Sequence, residues 1–267
     1  MKNRLKYLLI TFGSILLLLP LTLKAQTKDD FKKEHFIFEN DTLNYRILYP
    51  KNFSEEEEEY PVVLVLHGAG ERGDDNEAQL VHGSDLFLKA ENREKFGSIV
   101  IFPQAPKEDY WAKVEVKRDT MPFQFDFKNK EKPTKSLNLV MKLMDSLVAE
   151  EFVNEKQVYV GGLSMGGMGT YEILYKRPDM FAAAFAICGG ANPEIASEYQ
   201  DGLNIWIFHG EKDDVVPPEL SKDMARDINH HGGNAKLSLY PNDNHNSWDS
   251  AFAEPYLLPW LFSIQKQ

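Results

Sequence analysis

Ser164 stands inside Gly162-Leu163-Ser164-Met165-Gly166, straight after the apolar run Val158-Tyr159-Val160 and straight before a stretch of helical composition, residues 165–176. A serine placed where a buried strand turns sharply into a helix is exposed on a strained corner. Small residues two before and two after let that corner close without Cβ clashes, and the helix's first amides surround the oxygen with positive partial charge. An inert glycine-rich turn could carry the same five residues, so strand, corner and helix together mark Ser164 as a nucleophile.

A serine hydroxyl is weak at neutral pH. It needs a base within hydrogen-bond reach, and the base needs an acid that fixes its tautomer and stabilises its charged form. Seven histidines are available. His35 precedes the sheet, His230 and His231 sit at a helix end, and His82 has no strand to position it. His67 and His209 each precede a glycine at a strand end, where a turn or pocket-wall role suffices. His245, in the loop after the last strand, is the expected base. Asp213 and Asp214, neighbours after another strand, are the candidates for the acid. The loop His67-Gly68-Ala69-Gly70-Glu71-Arg72-Gly73 can turn backbone amides toward a developing oxyanion. The Ala69 N–H is the preferred donor, with Gly70 as fallback and Met165 N–H as the second; Glu71 and Arg72 are expected to brace the loop.

Positioning these groups falls to a succession of short apolar runs. Residues 34–49 alternate apolar and polar around Asn40-Asp41, as in an antiparallel hairpin. Residues 62–66, 99–102, 158–160, 181–187, 205–208 and 236–240 are continuous apolar runs or strand patterns of the kind covered on both faces. Between them lie helical periods: residues 86–96, an amphipathic stretch at 134–149, residues 165–176, a helix opened by Pro217-Pro218, and a last helix reaching Phe262. The alternation predicts an α/β fold, a mostly parallel, doubly wound sheet flanked by helices. Residues 107–133 have no clean period. They hold Tyr110, Trp111, Phe123, Phe125 and Phe127, too many aromatics for an idle loop, and are expected to form a cap or pocket wall. Trp111 and, beyond the base, Trp248 are the expected substrate-binding surfaces.

Residues 1–25 open with Lys2, Arg4 and Lys6, continue as an apolar run shorter than a membrane span, and end at Ala25. This pattern predicts a cleaved export signal, a single catalytic domain at 26–267, and a periplasmic or extracellular location. Removing the signal takes the formal charge from -11 to -15. Such a surface repels nucleic acid and anionic lipid, so neither a nucleic-acid partner nor stable membrane association is expected. Cys188 is the only cysteine, which excludes an intrachain disulfide; it reads as a small core residue.

Four motifs, His67-Gly68-Ala69-Gly70, Gly162 to Gly166, His209 to Pro217 and Asn244-His245, together resemble those of the α/β-hydrolase superfamily. In that company the pattern His-Gly-x-x-Asp-x-x-Val-Pro selects Asp213, and the order Ser164, Asp213, His245 is the superfamily's order. More narrowly, Gly-Ala-Gly-Glu-Arg-Gly, Phe102-Pro103-Gln104-Ala105-Pro106 and residues 163–169 resemble secreted feruloyl and acetylxylan esterases, with related predicted-peptidase and phospholipase/carboxylesterase-like proteins. The resemblance implies ester hydrolysis with no metal and no cofactor. It implies a small-molecule or polysaccharide-linked ester as substrate, acetyl and feruloyl esters on carbohydrates foremost. Residues 107–133 match none of these patterns. A serine peptidase of the prolyl-oligopeptidase-like type would use the same machinery on amides, and a non-catalytic binding protein could keep the scaffold.

Overall fold

The computed structural model describes residues 26–56 and 59–266; the expected export signal at 1–25 lies outside them. In chain order the elements are β1 (Lys32–Phe38), β2 (Asp41–Leu48), β3 (Tyr60–Leu66), α1 (Ser84–Leu88), α2 (Ala90–Lys95), β4 (Ile99–Gln104), β5 (Val114–Lys117), β6 (Gln124–Phe127), α3 (Lys135–Val148), β7 (Val153–Leu163), α4 (Met165–Lys176), β8 (Ala183–Ile187), β9 (Asn204–Gly210), α5 (Pro218–His230), β10 (Asn234–Tyr240), α6 (Trp248–Ala253) and α7 (Leu257–Phe262). Eight strands form one sheet in the order β1-β2-β4-β3-β7-β8-β9-β10. The β1/β2 and β2/β4 pairs are antiparallel, and every pair from β4 to β10 is parallel.

The continuous apolar runs follow from burial on both faces. Along β3, Val62, Leu64 and Leu66 join a core with α3, α4 and α5, while Val63 and Val65 join a second core with α1, α6 and α7. Side chains alternate across a strand, so a sheet covered on both sides has no polar position to spare. Helix α3 starts where Thr134 Oγ1 accepts from Leu137 N–H, and it buries Leu137, Val140, Met141 and Met144 against the sheet.

Three stretches depart from the sequence reading. Residues 86–96 form two short helices, because Lys89 leaves helical geometry at ψ 126°. The last helix is likewise split into α6 and α7: Pro255 disfavours helical geometry at Glu254, which stands at φ -62°, ψ 113°. Residues 107–133 are not structureless, for β5 and β6 pair as an antiparallel hairpin. No described helix is long and apolar enough to cross a membrane.

Candidate active site

Strand β7 ends at Leu163 and α4 begins at Met165, leaving Ser164 alone between them at φ 52°, ψ -116°. A non-glycine residue there is strained and persists only where its surroundings over-determine it. Ser164 N–H donates to the Ile187 carbonyl at 2.8 Å, and the Ser164 carbonyl accepts from Met168 N–H at 3.0 Å. A Cβ at Gly162 would strike the Gly166 backbone, and one at Gly166 would strike the Leu66 carbonyl oxygen. The glycines on either side are therefore required by close backbone approach.

Ser164 Oγ lies 2.9 Å from His245 Nε2, and His245 Nδ1 lies 2.8 Å from Asp213 Oδ2. An ionised carboxylate only accepts, so Nδ1 carries the proton and Nε2 offers its lone pair to the serine hydroxyl. The Asp213 side chain is fully buried. Burial works against its charge, but hydrogen bonds from His209 and His245 and from the Val216 amide hold its carboxyl well below the usual carboxylate range. The Val215 and Val216 amides both donate to Oδ1 at 2.9 Å. Asp214 is exposed, and its backbone N–H donates to Asn244 Oδ1, which also accepts from the His245 amide. One asparagine thus ties the loop carrying the acid to the loop carrying the base.

His209, expected as a turn or pocket wall, is instead a buried brace on the acid. Its Nε2 stands 3.1 Å from Asp213 Oδ2 and 3.0 Å from the Val216 carbonyl, and its Nδ1 stands 2.7 Å from Ser221 Oγ. His67 braces the other side. Its Nε2 accepts from Ala105 N–H at 3.0 Å, so its Nδ1–H donates to the Gly68 carbonyl at 2.6 Å. Burial pushes its pKa down to about 4, keeping the ring neutral. Cys188 is a buried core residue, as expected. Burial, with the Asp213 carboxylate nearby, raises its thiol pKa far above the usual range.

The Ala69 and Met165 amides have no acceptor among the described residues, and both residues line the cavity that Ser164 and His245 face. Arg72 braces this loop through Nε to the Ala69 carbonyl at 2.9 Å and Nη1 to the Lys107 carbonyl at 2.7 Å. The cavity holds about 250 Å³. Trp248 forms part of its wall, edge-on to His245 at 5.3 Å. Trp111 does not. It is 0% exposed, its Nε1–H donates to the His67 carbonyl at 3.1 Å, and its ring stands against His67 beneath the loop. The expectation that Trp111 binds substrate is thereby corrected, because an aromatic whose polar atom is satisfied inside the core has no face left for a ligand.

The hairpin β5–β6 supplies Val116, Phe123 and Phe125 to the wall. Its tip is fastened by Phe123 N–H donating to the Val215 carbonyl at 3.0 Å. Both feet are clipped to α4 by Glu172, whose Oε2 accepts from Lys113 N–H at 2.8 Å and from Asn129 Nδ2 at 2.9 Å. The sequence reading missed this carboxylate, and it also missed His82. His82 lines the cavity 5.1 Å from the Trp248 ring and 3.7 Å from Glu71.

Comparison with known proteins agrees with this fold. A bifunctional acetylxylan esterase/xylanase of Neocallimastix patriciarum is 39% identical over 83 residues, 31% of this chain and 12% of that protein. Mouse lysophospholipase-like protein 1 is 22% identical over 196 residues, 68% of this chain and 79% of its own length. Among solved structures, a thermostable esterase superposes with a TM-score of 0.79 at 31% identity, covering 90% of this chain and 64% of that one. A ferulic acid esterase of Anaeromyces mucronatus superposes at 0.63 and 17% identity, covering 89% and 92%, and shows the fold alone. The chain therefore spans only part of the first two esterases' own lengths. The sheet with helices on both faces is the α/β-hydrolase fold. The sequence profile described as phospholipase/carboxylesterase matches residues 50–255, most of the chain, and the protein belongs to that family of α/β hydrolases.

Proposed function

We propose that the protein is an exported ester hydrolase that works through an acyl-enzyme on Ser164. The observation that carries this reading is the hydrogen-bonded run Ser164–His245–Asp213, at 2.9 and 2.8 Å, opening on a mainly apolar cavity. Ser164 Oγ attacks the ester carbonyl carbon as its proton passes to His245 Nε2, and the resulting imidazolium is stabilised by Asp213. The oxyanion receives the Ala69 and Met165 amides. Collapse breaks the ester C–O bond, His245 protonates the departing alcohol, and the acyl group stays on Ser164. Water then gives a proton to His245 and its oxygen to the acyl carbon; a second collapse releases the acid and returns the proton to Ser164.

The favoured substrates are acetyl or hydroxycinnamoyl esters on carbohydrate. Tyr110, Phe123, Phe125 and Trp248 give the cavity flat aromatic walls, suited to stacking on sugar or aromatic rings. The acetylxylan esterase that is 39% identical over 83 residues points the same way. The charge pattern of residues 1–25 supports export. The test is a panel of purified protein against short-chain aryl esters, methyl ferulate, acetylated xylo-oligosaccharides, long-chain acyl esters and aminoacyl amides. Acetyl-sugar or feruloyl esters are expected to exceed long-chain esters and amides in kcat/KM by about tenfold or more, the scale of one well-made contact. A preference for long aliphatic chains or for amides would overturn the assignment.

A further inference from the structure

Arg118 follows β5 and faces the catalytic cavity, where among the described residues it is the one lysine or arginine side chain of the wall. The chain carries 41 acidic against 30 basic residues, and two cations of the neighbouring stretch have acidic partners. Lys128 pairs with Asp126 at 2.6 Å and Lys130 with Glu194 at 3.3 Å. Arg118 makes no ion pair among the described residues, although Glu115, Asp119 and Asp126 lie on the same hairpin.

Its guanidinium is held by other means. Nη2 donates to Tyr110 Oη at 2.6 Å, and the group stands 5.8 Å from the Phe123 ring centre. Tyr110 is itself fixed, for the Arg72 guanidinium lies 4.8 Å from its ring centre and Arg72 Nε holds the Ala69 carbonyl. A continuous set of contacts thus runs from the oxyanion loop through Arg72 and Tyr110 to Arg118. A guanidinium has five N–H donors in a rigid fork matched to a planar anion, and one of them is occupied here. Orienting the fork in advance lowers the entropic cost of engaging a ligand. Among the described residues the wall's one carboxylate, Glu71, is only 14% exposed and faces His82 at 3.7 Å, so it does not occupy the fork. Long-range repulsion from the acidic surface is screened beyond about 8 Å at physiological salt, and a direct contact at Arg118 lies well inside that distance.

We propose that Arg118 binds an anionic group carried by the ester substrate, which narrows the substrate class from neutral esters to acidic ones. The anion is a carboxylate or a group of like geometry, and it belongs either to the acyl part or to the alcohol, as in a uronic acid unit. The proposal rests on the ester-hydrolase reading above.

Two matched pairs test it and separate the two sources. For the acyl side, 4-nitrophenyl valerate is compared with the 4-nitrophenyl monoester of glutaric acid, which carries a carboxylate in place of the terminal methyl. For the alcohol side, an acetylated methyl glucoside is compared with the acetylated methyl glucuronide. In at least one pair, Arg118→Gln is expected to lower the acid-to-neutral ratio of kcat/KM by about tenfold or more, mainly through KM, as loss of a charge-assisted hydrogen bond does. Arg118→Lys should restore part of that ratio, and added salt should reduce it in the parental protein. A ratio that moves less than about threefold in both pairs, below the range for a charged hydrogen bond, would overturn the proposal while leaving the esterase reading intact. A parental protein inert toward every ester of the panel would overturn that reading, and this inference with it.

Discussion

Two imidazoles beside the site do different work because one meets solvent and the other does not. His245 is partly exposed and lies within hydrogen-bond reach of Ser164; His67 is sealed beneath the loop, away from it. Its folded-state pKa of about 4 lies below the ordinary 6.5. The unfolded chain therefore binds a proton that the folded one refuses. That contribution to stability is complete above about pH 6.5 and is lost as pH falls toward about 4. At the low end the loss is on the order of 3 kcal/mol for a shift of this size. Urea unfolding at about pH 7 and pH 4.5 should show His67→Gln losing less stability between the two than the parental protein. Equal losses would show that His67 does not couple acid to unfolding. The choice of Asp213 over Asp214 was legible from motif spacing, and one is buried on His245 while the other is exposed. Trp111 was not legible, since an aromatic's type says nothing about which way its ring turns. His209 was legible only as the start of the pattern that selects Asp213, although it lies four residues before that acid at the end of the preceding strand and touches it.

At the level of elements, the central strands were legible because burial on both faces removes polar residues from the run, and α4 because it follows the glycine corner. The hairpin was harder to see. β5 and β6 have four residues each, and each turns two side chains inward and two outward. So short an alternation is lost among the charged residues around it. What fixes the hairpin is equally invisible in sequence, because Glu172 reads as one more acid in a helix. Burial raises its pKa, while the Lys113 amide and Asn129 oppose that rise by donating to the charged form. Glu172→Ala would leave both donors without their acceptor inside the protein, at a cost of about 1–3 kcal/mol each. The hairpin should then loosen from α4. Limited proteolysis within residues 113–129 is expected to accelerate, and KM for feruloyl esters to rise by several-fold while that for a small acetyl ester moves little. Unchanged cleavage and unchanged KM would mean that the hairpin is held elsewhere.

Across the whole molecule, the parallel strands deliver Ser164 after β7, Asp213 after β9 and His245 after β10, the proposed nucleophile, acid and base, all at one edge of the sheet. The loop that carries Ala69 follows β3 at that same edge. Ligands bind beyond the carboxyl ends of strands in open α/β sheets, so the topology gathers Ser164 and His245, 81 positions apart, into one site. The central claim is that one serine carries the acyl group. A fluorophosphonate that traps activated serines should add a single adduct, and peptide mapping should place it on Ser164. Ser164→Ala should take up none and hydrolyse short-chain aryl esters at least roughly 10⁴-fold more slowly with its fold intact. An adduct on another residue, or a Ser164→Ala protein that still hydrolyses those esters at near-parental rate, would contradict the account.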